Sequence, residues 1–140
     1  MEIDAKDLII GRLSTYVAKE ALMGEKINIL NCDKAVLTGK KTEIFERYKR
    51  KIRMGNPFKG PFFPRPADRI VRRLVRGMLP FNRTRGRDAF KRVMCYIGIP
   101  EEFKDKKLET FDKFHIKNTK SLGYVTVGEI SEHIGAKKNG

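Results

Sequence analysis

Tryptophan is absent, and the 140 residues include only two cysteines and two histidines. Two cysteines do not build a disulfide scaffold. Cys32 and Cys95 each sit in an apolar run and read as small buried residues of a protein in the reducing cytoplasm. His115 and His133 are isolated and lack the spacing of a metal site, so neither a metal nor a cofactor is expected. Long apolar runs are also missing. None approaches the roughly 18 residues of a membrane span, and Met1 leads straight into Glu2 and Asp4 rather than a secretory leader. No internal repeat is found, and the only biased stretch is the short basic tail Lys137-Lys138-Asn139-Gly140.

The most informative scarcity is local. Between Lys40 and Arg92 there are four acids, Glu43, Glu46, Asp68 and Asp88, against 18 Lys and Arg, a net of +14. The rest of the chain holds 31 − 18 = 13 basic and 17 − 4 = 13 acidic residues, so this one segment carries the whole imbalance. A solvated helix face normally mixes signs, as in Glu and Lys four apart. A run of cations without acids points instead to an anionic partner, nucleic acid above all.

What is present fits one domain over residues 1–140, with 40% hydrophobic residues and length enough to bury a core. Leu8-Ile9-Ile10 before Gly11 reads as a strand end. Leu13, Val17, Ala18, Ala21 and Leu22 then mark a helix that stops at Gly24, and Ile27 to Cys32 reads as a second strand. Strand, turn, helix and strand within about 30 residues make a βαβ unit with a parallel pair. A helix from near Thr42 buries Ile44, Phe45, Tyr48 and Ile52, and Lys49, Arg50, Lys51 and Arg53 crowd its last turn. Favourable pairing with a helix C-terminus explains one or two of these cations, not four.

Asp68 to Arg92 is the organising stretch. Ile70, Val71, Leu74, Val75 and Met78 form one helical stripe, and Arg69, Arg72, Arg73 and Arg76 the other. Asp68 is placed to cap this helix, and Gly77 with Pro80 to end it. Arg83, Arg85, Arg87, Lys91 and Arg92 continue the cations around Gly86. Arginine presents a planar fork of donors that suits phosphate oxygens. Before this stretch, Met54 to Pro66 interleaves four prolines with Phe58, Phe62, Phe63, Lys59 and Arg65 and reads as a long loop. Its rings can stack on unpaired bases, wedge against a partner protein, or fold back on the core. Val93 to Ile97 reads as another buried strand, and Thr126 with Glu129 as the capping box of a last helix stopped at Gly135. Glu101 to Thr119 shows only scattered anchors, Leu108, Phe111, Phe114 and Ile116.

Catalytic motifs fail on inspection. Gly39-Lys40-Lys41-Thr42 comes near a phosphate-binding loop, yet that motif needs Gly at position 34 and Ser or Thr at 41, where lysines stand. Asp4, Asp7 and Asp33 are turn and cap residues by type rather than metal ligands. A small nucleotide-binding α/β enzyme using the turn at Gly11 remains the alternative, on the weak signal of a single glycine.

Asn31-Cys32-Asp33-Lys34-Ala35-Val36-Leu37-Thr38-Gly39-Lys40-Lys41, and Val75-Arg76-Gly77-Met78-Leu79-Pro80 followed by Gly86-Arg87, resemble the large-subunit ribosomal protein thirteen family. The resemblance runs from Ile3 to about Glu102. The proline-rich loop and Tyr96-Ile97-Gly98-Ile99-Pro100-Glu101-Glu102 are similar to its archaeal and eukaryotic branch, and the short length to archaeal members. The resemblance implies a three-layer α/β/α fold on a mostly parallel four-stranded sheet, with a long basic proline-rich loop. It also implies a cytoplasmic, ribosomal, structural and assembly role, without catalysis or a small-molecule substrate. The implied partners are large-subunit ribosomal RNA and neighbouring ribosomal proteins, with no membrane. The candidate RNA-binding residues are Lys40, Lys41, Lys49, Arg50, Arg53, Lys59, Arg65, Arg69, Arg72, Arg73, Arg76, Arg83, Arg85, Arg87, Lys91 and Arg92.

Overall fold

The computed structural model describes residues 1–120 and 123–136; the basic tail at 137–140 lies outside them. The βαβ unit is present, but it starts earlier than the apolar run suggests. Strand β1 is Glu2–Asp4, helix α1 is Ile10–Leu22 and strand β2 is Ile27–Leu30. Asp7 takes φ 61 and turns the chain out of β1, so Leu8 and Ile9 form only isolated bridges, to His115 and Val36. Ile10 and Gly11 are already helical. No turn remains at Gly11 to cradle a nucleotide.

Strands β1, β2 and β4 (Val93–Cys95) form a parallel sheet in that order, with Ile3 beside Ile29 and Ile29 beside Cys95. The expected four-stranded sheet therefore has three strands among the described residues. Strand β3 (Val36–Thr38) touches it only through the Ile9–Val36 bridge and pairs antiparallel with β5 (Tyr124–Thr126) instead.

The row Ile3, Ile29 and Cys95 joins the main core with Leu13 and Val17 of α1 and with Ile70, Val71 and Val75. Those last three belong to helix α3 (Ala67–Gly77), which packs against α1, as does helix α4 (Thr84–Lys91). On the other side of the sheet Met94 is 41% exposed, whereas Leu30 is fully buried. Between β3 and α3, helix α2 runs Lys41–Arg53 and buries Ile44 and Tyr48, with Phe45 and Ile52 at the core margin. Helix α5 (Val127–His133) carries the expected capping box, with Thr126 Oγ1 accepting from Glu129 N and Glu129 Oε2 accepting from Thr126 N, both at 3.2 Å. It stops before Gly135 at φ 98.

Asp68 lies inside the first turn of α3 and makes no side-chain cap; Pro66 holds the capping position. The carboxylate still favours that end through the helix dipole. Gly77 ends α3 as expected, and Gly86 sits buried in α4, where a Cβ would collide with the Pro80 carbonyl. The unplaced stretch after Glu101 is a strap. Glu109 bonds the free edge of β1, and Phe111 and Phe114 pack their rings on Tyr16 of α1 at 4.7 and 6.1 Å.

Candidate nucleic-acid interface

Helix α3 turns Ile70, Val71 and Val75 inward, whereas Leu74 of the expected stripe is only half-buried and Met78, just past the helix end, is 43% exposed; its arginines line another side. Arg69, Arg72, Arg73 and Arg76 border a groove of 450 Å³ completed by Pro64, Phe81 and Phe90. Two of these guanidinium groups are seated on aromatic rings. Arg72 lies 4.0 Å from the Phe90 ring centre, and Arg76 lies 4.0 Å from that of Phe81. Such stacking holds a guanidinium by its face, which at Arg76 leaves the edge donors free to turn toward a ligand, while at Arg72 they are engaged by backbone carbonyls. Phe81 and Phe90 meet edge to face at 5.5 Å, which braces the platform.

No acid lines this groove. Among the described residues the ion pairs within 4.0 Å both involve Glu2, with the N-terminus and with Lys106. No described acid lies at that distance from a cation between Lys40 and Arg92. A groove of stacked arginines without a counter-charge is built to receive an anion.

The candidate cations are not equivalent. Arg72 donates from Nε to the Val93 carbonyl at 3.0 Å and from Nη2 to that of Phe90 at 3.4 Å, tying α3 to β4. Arg92 donates to the Ala21 carbonyl at the end of α1 at 2.9 Å. Arg87 donates to the Phe81 carbonyl at 3.1 Å. Arg72 and Arg92 are half-buried and serve the fold directly, whereas Arg69, Arg73, Arg83, Arg85 and Lys91 are exposed. Lys59 and Arg65 are exposed in the 54–66 loop, which forms no helix or strand.

Helix α2 divides its cations. Lys49, Arg50 and Arg53 gather near its C-terminus, while Lys40 and Lys41 stand at its N-terminus, roughly 18 Å away along a 13-residue helix. They do not form one edge. Lys40 and Lys41 also oppose the helix dipole, a placement that folding alone does not favour.

Phe81 and Phe90, the two platforms, have no place at the site in the sequence reading, because their pairing with Arg76 and Arg72 crosses between elements. Lys51, named among the last-turn cations but not among the candidate RNA-binding residues, joins the same surface. Its ammonium lies over the Tyr48 ring at 5.0 Å and the Phe63 ring at 5.3 Å. Desolvation, then the charges of Arg47 and Arg73, push its pKa below the usual lysine value. Its spacing of three from buried Tyr48 was the available signal.

The Ribosomal protein L13 family model matches residues 1–102. The large ribosomal subunit protein uL13 of Archaeoglobus fulgidus is 47% identical over 134 residues, covering 95% of this chain and 86% of that protein. That of Methanopyrus kandleri is 46% identical over 140 residues, covering 99% and 88%, and that of Methanococcoides burtonii 44% over 135 residues, covering 96% and 97%. With a family match over most of its length and archaeal relatives along nearly all of it, the chain belongs to the Ribosomal protein L13 family, in its archaeal branch.

Proposed function

We propose that this chain binds large-subunit ribosomal RNA as a structural constituent of the cytoplasmic ribosome and supports assembly of the subunit. The observation that carries the reading is the acid-free groove lined by Arg69, Arg72, Arg73 and Arg76, in which Arg72 stands over Phe90 and Arg76 over Phe81. Phosphates lie along it and continue past Arg83, Arg85, Arg87 and Lys91. Lys49, Arg50 and Arg53 form a second bank, Lys40 and Lys41 a separate contact, and Lys59 and Arg65 reach out from the loop. Arg72 and Arg92 act mainly by fixing α3 and α4 to the sheet and α1. Such contacts read RNA shape and backbone more than base identity.

Neighbouring ribosomal proteins adjoin the remaining surface. The role is structural, without a catalytic step. Crosslinking in cell extract followed by RNA sequencing tests the assignment. Crosslinks should concentrate in large-subunit ribosomal RNA at Arg69, Arg73 and Arg85. Crosslinks spread evenly over cellular RNA would contradict it.

A further inference from the structure

A second groove, of 390 Å³, opens on the other side of Arg73, between α3 and the end of the proline-rich loop. Its walls are Met54, Pro61, Phe62, Phe63 and Leu74, and its charged members are Lys51 and Arg73. No acid lines it.

The loop holds this shape through its own bonds. Asn56 and Gly60 exchange backbone hydrogen bonds at 3.0 and 2.8 Å, and Asn56 Oδ1 accepts from Phe58 N at 2.9 Å. Gly55, at φ 84, passes so close to Gly60 that a Cβ would strike its carbonyl. The chain then delivers two adjacent rings to opposite environments. Phe63 turns inward and meets the Tyr48 ring at 5.8 Å. Phe62 lies against Gly60, where a Cβ would be 3.2 Å from its ring, and remains 74% exposed. A solvent-facing ring beside two cations, with no acid in the groove lining, is the complement of a flat aromatic ligand that carries negative charge.

We infer that this groove receives one unpaired RNA base, stacked on Phe62, with the flanking phosphates held by Lys51 and Arg73. The inference rests on the RNA-binding reading above, because Arg73 borders both grooves and makes them one continuous cationic surface. A protein segment with an acidic rim would satisfy the charges here too. Continuity with the arginine groove favours the nucleotide.

The test uses the 140-residue chain and two RNA hairpins that differ by a single bulged 2-aminopurine. The bulged hairpin should bind about five- to 150-fold tighter, the range set by stacking one base on an aromatic side chain, and its fluorescence should be quenched on binding. Phe62→Ala should erase the preference and the quench while leaving the unbulged hairpin's affinity unchanged. Phe62→Tyr should restore both. Equal binding of the two hairpins by the wild type, without quenching, would overturn the base slot and leave the phosphate track standing. Absence of binding to either hairpin at low salt would overturn both readings. If Phe62→Ala changed neither hairpin but released a protein from purified subunits, the groove would be a protein dock and the inference would fail.

Discussion

Arg72 ties the Val93 and Phe90 carbonyls to α3, whereas Arg73, one residue on, lies exposed between the two grooves. Replacing each by Gln separates the two duties. Arg72→Gln should cost about 1–3 kcal/mol, because two bonded carbonyls lose their donor and Phe90 its stacked cation. Arg73→Gln should stay within about 0.5 kcal/mol of wild type in a thermal melt while weakening RNA binding. Equal melting losses would contradict the division. At Cys32, a hydrogen bond with Cys95 and then burial hold the thiol well above its ordinary 9.0. The unfolded thiol ionises first, so above pH 9.0 the unfolded state binds fewer protons and stability falls as pH rises. Tyr48, raised by burial, adds to the fall above 10.0, and Lys51, whose value is lowered, opposes it up to 10.5. Denaturation midpoints should decline from pH 9 upward, less steeply in Cys32→Ala, and a thiol reagent should label Cys32 only as the protein unfolds.

Helix α3 is the element on which the fold and the proposed binding surface meet, and its buried side and its surroundings predict different damage. Ile70→Asp places an unpaired carboxylate where Ile70 is 0% exposed and should cost several kcal/mol. Gly86→Ala should cost about 1–3 kcal/mol through the clash with the Pro80 carbonyl, although alanine favours helices. Chemical denaturation of both variants measures this, and a stabilised Gly86→Ala would contradict the close approach. The faces of α3 were legible in the sequence because a 3.6-residue period repeats in Ile70, Val71 and Val75. So was the capping box of α5, which is local chemistry. The bounds of β1 were not legible, since Glu2-Ile3-Asp4 offers one apolar residue between two acids while the apolar run Leu8-Ile9-Ile10 lies past the turn at Asp7. The strap after Glu101 escaped because it is held by bonds to β1 and rings on Tyr16, contacts between distant residues. The candidate site divided in the same way. Which cations face solvent was readable, whereas the carbonyls that claim Arg72 and Arg92 were not.

At the scale of the whole molecule, a net charge of +14 is concentrated between Lys40 and Arg92, where among the described residues no acid lies within 4.0 Å of a cation. Self-repulsion of this kind weakens the compact state and is screened by salt, over about 10 Å at 0.1 M. The free protein should therefore melt higher as salt rises, while its complex with RNA weakens. The concentration of charge was legible as a count; that it remains unpaired is a property of the fold. The most direct measurement is the affinity for a large-subunit ribosomal RNA fragment across a salt series. Six to ten phosphate contacts, the number this surface can offer, give a slope of log affinity against log salt of about −4 to −9. A variant carrying Arg69→Gln, Arg73→Gln and Arg85→Gln should flatten that slope by about two to three, with melting nearly unchanged. Matching slopes for the variant and the wild type would contradict the claim that the arginine face of α3 and α4 is where this protein holds RNA.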